Sequence, residues 1–304
     1  MKTILVRGPA LSRSGYGEQT RFALRALRKH EERFNILLVN TGWGQTGWIS
    51  DSGEERDWFD YLLAKGHQHT QQNLPIDISL QVTIPNEWER LAPINIGYTA
   101  GIETTKIAPQ WIEKARMMDK IIVVSNHSKN VFNNTTYTGV VQGTEEEVTI
   151  QNTTEIEVVN YPVRSLEVEN LDIELDYDFN FLAVAQMGPR KNIANTVYWF
   201  IDEFHNEEVG LVLKANTANC TTQDYMRTKA SLKAITDKYP DRKCKIYLVH
   251  GDLSLEQMNS LYTHEKIKSF VTFTHGEGFG MPIFEAAYHG LPVIAPAWSG
   301  QNDF

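Results

Sequence analysis

The sequence predicts an α/β protein made of two doubly wound, Rossmann-like parallel-sheet halves. Two observations predict the class. Strand-like apolar runs alternate with helix-like segments in the first half, and the second half repeats the scheme. A third, the length of 304 residues, leaves room for two domains of about 150 residues each.

Along the first half, Thr3 to Arg7 reads as a first buried strand: MKTILVRG has only a short apolar run before arginine and glycine, unlike a secretion signal. The turn Ser12 to Gly17 (SRSGYG) leads into a helix expected over Gln19 to Arg33, where Arg21, Arg25 and Arg28 line up opposite Phe22, Leu24 and Leu27. Two readings fit this basic stripe, a solvated face or a peripheral contact with an anionic surface. Further strands are expected over Phe34 to Asn40, Ile76 to Ile84, Ile94 to Thr99 and Lys120 to Ser125. Between the second and third of these, Thr41 to Trp58 sets Trp43 and Trp48 among glycines, the composition of a loop that stacks on sugar rings or bases, or of one that is simply packed. About residues 134–154, polar and β-forming residues alternate around Gly139 and Gly143, predicting a hairpin-like insertion suited to an acceptor or partner.

The acidic stretch Leu166 to Asp178 has no clear period and follows Pro162. It divides the chain into a first domain over 1–163, a connection over 164–178 and a second domain over 179–304. Strands are expected there over Phe181 to Ala185, Gly210 to Ala215, Lys245 to Val249, Ser269 to Thr274 and Pro292 to Pro296; Ser254 with Gln257 predicts a capping-box helix start.

Composition narrows the function classes. A formal charge of −9 and a pI near 5.5 argue against a surface that grips nucleic acid throughout. No apolar stretch approaches the roughly 18 residues of a membrane helix. Cys220 and Cys244 carry no metal or redox pattern, so a reduced, cytoplasmic setting is expected.

The chemistry concentrates in His275 to Gly290, HGEGFGMPIFEAAYHG. Lys268 to Thr274 (KSFVTFT) reads as a buried strand, Pro282 suits a first helical turn and Gly290 a helix end. The amides of Gly278, Phe279, Gly280 and Met281 would lie at the positive end of that helix, where a phosphate or sugar hydroxyls accept from them. Glu277 stands before the turn and Glu285 after it, two acceptors flanking a ring of donors, which suits a phosphate-bearing polyhydroxylated ligand. Glycines serving only tight packing of a crossover are the alternative. Arg190 and Lys191 come directly after another strand, Phe181 to Met187, as ligand-binding residues do at the carboxyl ends of parallel strands.

The segment resembles the Glu-x7-Glu signature of retaining glycosyltransferases with the GT-B fold, family 4. Phe179 to Ile193 resembles that family's first donor-domain strand and phosphate loop. Asn95 to Thr105 with Asp119 to Lys129 resembles the end of its acceptor domain, and Val158 to Val163 the strand leading to its linker. The resemblance implies two Rossmann-like domains facing across a cleft and transfer of a sugar from a nucleoside diphosphate, UDP or GDP, to an acceptor hydroxyl with retention, without a required metal. It assigns the diphosphate to Lys191, with Arg190 standing in for the family's usual arginine; ribose hydroxyls to Glu285; the transferred sugar to Glu277; and donor phosphates to Gly15 and Gly17. Glu103 and His127 become polar candidates near the acceptor, with Trp43 and Trp48, although the family's usual histidine position reads Tyr98-Thr99-Ala100-Gly101-Ile102-Glu103. The family continues past the strand at Pro292 with helices for which a sequence ending at Phe304 has no room. A saccharide or glycolipid is the expected acceptor. Three alternatives stay open: glycosylation of a hydroxymethylated base in phage DNA, a non-catalytic sugar-nucleotide binder, and a GT-B epimerase or phosphorylase, the last lacking its cofactor-lysine motif.

Overall fold

The computed structural model describes residues 1–140, 143 and 147–304. They form two compact units, Met1–Pro162 with Asp303 and Val163–Asn302 with Phe304.

In the first unit the chain runs β1 (Lys2–Gly8), α1 (Gly15–Arg28), β2 (Phe34–Asn40), α2 (Glu54–Gln71), β3 (Ile78–Val82), β4 (Ile94–Thr99), α3 (Pro109–Ala115), β5 (Lys120–Val123), α4 (Asn126–Asn134), β6 (Thr136–Val140), β7 (Glu147–Gln151) and β8 (Ile156–Val158). Six strands make one parallel sheet, ordered β2-β1-β3-β4-β5-β8. β6 and β7 form a separate antiparallel pair whose inward Tyr137 and Ile150 pack on the core around Trp88, Ile112 and Phe132. Residues 141, 142 and 144–146 of the insertion expected over 134–154 lie outside the described residues.

The second unit runs β9 (Asn180–Gln186), α5 (Ile193–Phe204), β10 (Gly210–Asn216), α6 (Thr222–Thr236), β11 (Lys245–Val249), α7 (Leu255–Thr263), β12 (Ile267–Val271), α8 (Met281–Tyr288) and β13 (Val293–Ile294). Its parallel order is β11-β10-β9-β12-β13. Alternation along β9 and β10 divides the core between two faces. Ala183, Leu211 and Leu213 meet Val197 and Ile201 of α5 and Leu232 of α6; Leu182 and Val212 meet Leu261 of α7 and Ile283 and Ala286 of α8. A sheet covered on both faces accounts for the apolar strands. The order reverses at β9/β12 in this unit and at β1/β3 in the first, and at such switch points the loops leaving the strands part to make a crevice.

Element boundaries moved where local bonds outcompete the strand or helix period. α1 starts at Gly15, not Gln19, because the Ser14 side chain caps it by accepting from Gly17 N at 3.0 Å, and it stops at Arg28. β3 starts at Ile78 because Asp77 instead accepts from Thr3 N at 2.7 Å. β8 covers 156–158 and not 158–163. β12 ends at Val271, the chain turning so that His275 N donates to Arg190 O at 2.8 Å. The capping box is as predicted: Ser254 and Gln257 bond reciprocally. The acidic stretch packs on the second unit, with Leu175 in its core and Glu169 N donating to Ser260 Oγ.

The arginines of the basic stripe are paired. Arg21 is only 6% exposed, bonding Glu18 and the carbonyls of Ala10 and Ser12. Arg25 lies between Glu18 and Glu55, and Arg28 pairs with Glu54. Arg25 and Arg28 thus face carboxylates of α1 and α2 while each stays about a third exposed. Among the described residues no helix is long and apolar enough to cross a membrane.

Candidate functional site

In the second unit, β9 gives way at Met187 to a short 3-10 turn, Pro189–Lys191, that carries both predicted cations. Asn192 ends the turn at φ 55°, a left-handed conformation that asparagine tolerates, and its side chain donates to Phe273 O at 3.1 Å. With the His275 N to Arg190 O bond, this ties the β9 loop to the β12 loop at the switch point.

The tie brings Arg190, Lys191 and Glu277 together. Lys191 Nζ donates to Glu277 Oε1 at 2.6 Å; Arg190 Nη1 donates to Oε2 at 3.0 Å and to Gly276 O at 2.7 Å. Glu277 is 7% exposed. Burial alone pushes its carboxyl up, but Lys191 and then Arg190 outweigh that and hold it below the ordinary glutamate value. The carboxylate is therefore ionised at neutral pH, with a cation on each of its oxygens.

The turn after Glu277 is fixed from the far side. Glu277 N donates to Ser299 Oγ at 3.0 Å and Gly300 N donates to Glu277 O at 2.9 Å. A Cβ on Gly300 would fall 2.0 Å from Gly278 O, and Ser299 accepts φ 73° to make that approach. Gly280, at φ 96°, caps α8, with Met281 and Pro282 opening the helix. The first amides and the positive dipole end of α8 therefore lie at the turn, while the Phe279 ring is buried against Phe284 and Phe304. Glu285 sits one turn into α8 in a different cluster, accepting from Arg164 Nη2 at 2.5 Å and Tyr262 Oη at 3.0 Å.

In the first unit, Gly15 and Gly17 lie inside the first turn of α1 and not in a free loop. They differ: a Cβ on Gly15 meets nothing, whereas one on Gly17 would fall 2.0 Å from Ser12 O. Gly17 thus serves packing of α1 on the loop after β1. Tyr16 between them is buried; its hydroxyl lies 2.7 Å from Thr99 Oγ1 and accepts from Ala100 N at 3.3 Å. Desolvation pushes that hydroxyl well above its ordinary value and the nearby Glu103 charge adds to the rise. Trp43, half-buried, packs on Tyr16 with ring centroids 4.2 Å apart; Trp48 is 55% exposed. His127, near the start of α4, bonds Thr104 O at 3.1 Å, and burial holds it below the ordinary histidine value.

Sequence reasoning missed Tyr16, Thr99, Arg164, Asn192, Tyr262 and Ser299. No local pattern sets Tyr16 apart from the glycines on either side of it, or Asn192 from the adjacent basic pair. Arg164 and Tyr262 reach Glu285 from 121 and 23 positions away, which no local pattern reports. Among the described residues no group of three or more His, Cys, Asp or Glu is placed to hold a metal ion.

No family model and no curated protein sequence matches the chain. Solved structures do match over nearly its whole length. Anabaena HepE in complex with UDP-glucose aligns at a TM-score of 0.61 and 12% identity, covering 99% of this chain and 82% of that one. The Escherichia coli trehalose-6-phosphate protein bound to UDP-2-fluoro glucose aligns at 0.58 and 10%, covering 97% and 84%. The lipopolysaccharide outer core galactosyltransferase WaaB, in its apo form, aligns at 0.53 and 12%, covering 97% and 80%. At these identities the likeness is one of fold, and it places the chain in the GT-B class of paired Rossmann-like units.

Proposed function

We propose that the chain is a retaining, nucleotide-sugar-dependent glycosyltransferase of the family 4 type. The observation that carries this reading is the Glu277 cluster: a buried ionised carboxylate held by two cations at the sheet's switch point, beside the positive end of α8. Such a cluster supplies what departure of a diphosphate needs. Its two cations stabilise negative charge growing on the β-phosphate oxygen, and they are held in place before the ligand arrives. Lys191 and Arg190 take that role, helped by the amides of Gly278, Phe279, Gly280 and Met281. Glu277 grips hydroxyls of the transferred sugar and Glu285 those of the ribose.

In the reaction the bond from the sugar's C1 to the diphosphate oxygen breaks and its electron pair leaves with the diphosphate. The acceptor oxygen forms its bond to C1 on the same face, and its proton passes to the departing diphosphate. No side-chain base and no metal is required in this scheme. UDP is the first donor to test, because two of the similar structures hold UDP-sugars, and GDP the second. In the first unit, Gly15 and Gly17 at the start of α1, the Trp43 and Trp48 loop, Glu103 and His127 are the candidates for donor phosphates and a saccharide or glycolipid acceptor. Glycosylation of a modified DNA base has less support, since the arginines of α1 are neutralised. A cytoplasmic setting with free Cys220 and Cys244 belongs to the same reading.

A thermal-shift and hydrolysis screen against UDP-, GDP- and ADP-sugars, with Glu285→Ala beside the parent, tests the proposal. One nucleotide sugar is expected to stabilise the parent and be hydrolysed slowly, with both responses lost in the variant. Binding without turnover, even with saccharide acceptors, would point to a non-catalytic binder, and no response to any donor would refute the reading.

A further inference from the structure

Both carboxylate oxygens of Glu285 are engaged by side chains that are themselves held in place. Tyr262, 2% exposed, sits in the core beneath α8 and stacks on His289 with centroids 5.7 Å apart. His289 Nε2 lies 3.1 Å from Asn259 Oδ1, while Asn259 Nδ2 donates to Ser165 O at 3.0 Å and Glu167 O at 2.7 Å. Those two carbonyls belong to the backbone just after Arg164, so one network fixes both donors on Glu285. Burial first, and then the Glu285 charge, keep the Tyr262 hydroxyl protonated and able to donate.

This is more support than a helix-surface glutamate needs for stability. A carboxylate has about four lone-pair positions; Arg164 and Tyr262 occupy two and fix the plane in which the others point. With its side chain 19% exposed, Glu285 can still take two donors from outside. Two adjacent O–H groups at fixed spacing are what the cis-diol of a ribose offers, whereas a 2′-deoxyribose offers one.

We propose that Arg164 and Tyr262 are positioning residues that present Glu285 to the ribose cis-diol of the donor, so that this unit selects ribonucleotides over 2′-deoxyribonucleotides. The inference rests on the reading above that Glu285 binds the donor's ribose.

Titration calorimetry with UDP, GDP and their 2′-deoxy counterparts tests it on the parent, Tyr262→Phe, Arg164→Gln and Arg164→Lys. The parent is expected to prefer the ribonucleotide by about tenfold or more, the worth of a hydrogen bond to a charged acceptor. Tyr262→Phe, which keeps the ring and its stacking, and Arg164→Gln should each weaken ribonucleotide binding about tenfold and leave the deoxynucleotide unchanged. Arg164→Lys should restore part of the preference. If the variants weaken both ligands in parallel, or retain the parent's preference, the positioning role is refuted. A parent that binds both nucleotides equally refutes this inference alone; one that binds neither overturns the donor-site reading with it.

Discussion

The turn after β1 and the turn after β9 occupy the same place in their units, each leaving a strand at the switch point and entering the first helix, yet they are built from opposite materials. The β9 turn gathers Arg190, Lys191 and a buried carboxylate. The β1 turn gathers Tyr16, Thr99 and Trp43; its own Arg13 pairs with Asp51, and Arg21 is buried against Glu18 and two carbonyls. A shared βα geometry therefore does not by itself make an anion site. In the second unit two adjacent cations meet one buried carboxylate beside a helix start, whereas in the first the helix start carries a buried hydroxyl and a ring. Under the proposed function, this difference gives the leaving diphosphate to the cations of the second unit.

The largest effect is expected from Lys191→Met. Removing the closer of the two cations should lower turnover of the donor by about 10²- to 10³-fold, the usual cost of one preorganised electrostatic group. Rates at saturating nucleotide sugar decide it, and an unchanged rate would break the asymmetry between the two turns.

Arg21→Met probes the other turn. Glu18 would stay buried without its closest cation, so unfolding free energy should fall by about 3 kcal/mol in urea titrations. Nucleotide affinity, measured in parallel, should not move. A loss of affinity without a loss of stability would show that the β1 turn also handles anions.

The smallest effect is expected from Trp43→Ala. Losing the ring packed on Tyr16 should cost about 0.5–1.5 kcal/mol of stability. KM for a saccharide acceptor should rise severalfold with donor affinity constant. A change in donor affinity instead would shift Trp43 to the donor's side of the reaction.

How far each feature could be read in advance follows from its range in sequence. The α8 turn was legible, because Gly280 and Gly290 both take positive φ and Pro282 opens the helix, all within eleven positions. The strands of both sheets were legible as apolar runs, though their ends were not: side chains such as Asp77 and Ser14 take over backbone groups at the boundaries. The start of α1 was misplaced for that reason, and Gly15 and Gly17 with it. The arginine stripe on α1 was visible, but the glutamates that neutralise Arg25 and Arg28 arrive from α2, 30 and 26 positions on.

The sequence alone determined the fold class, the placing of Glu277 before the α8 turn and of Arg190 and Lys191 after β9, because strand periodicity, glycine conformation and helix capping act over a few residues. Only the tertiary structure decided which charges meet. That depends on pairings such as Lys191 with Glu277 and Arg164 with Glu285, 86 and 121 positions apart, which form only once the sheets fix the strand ends beside each other.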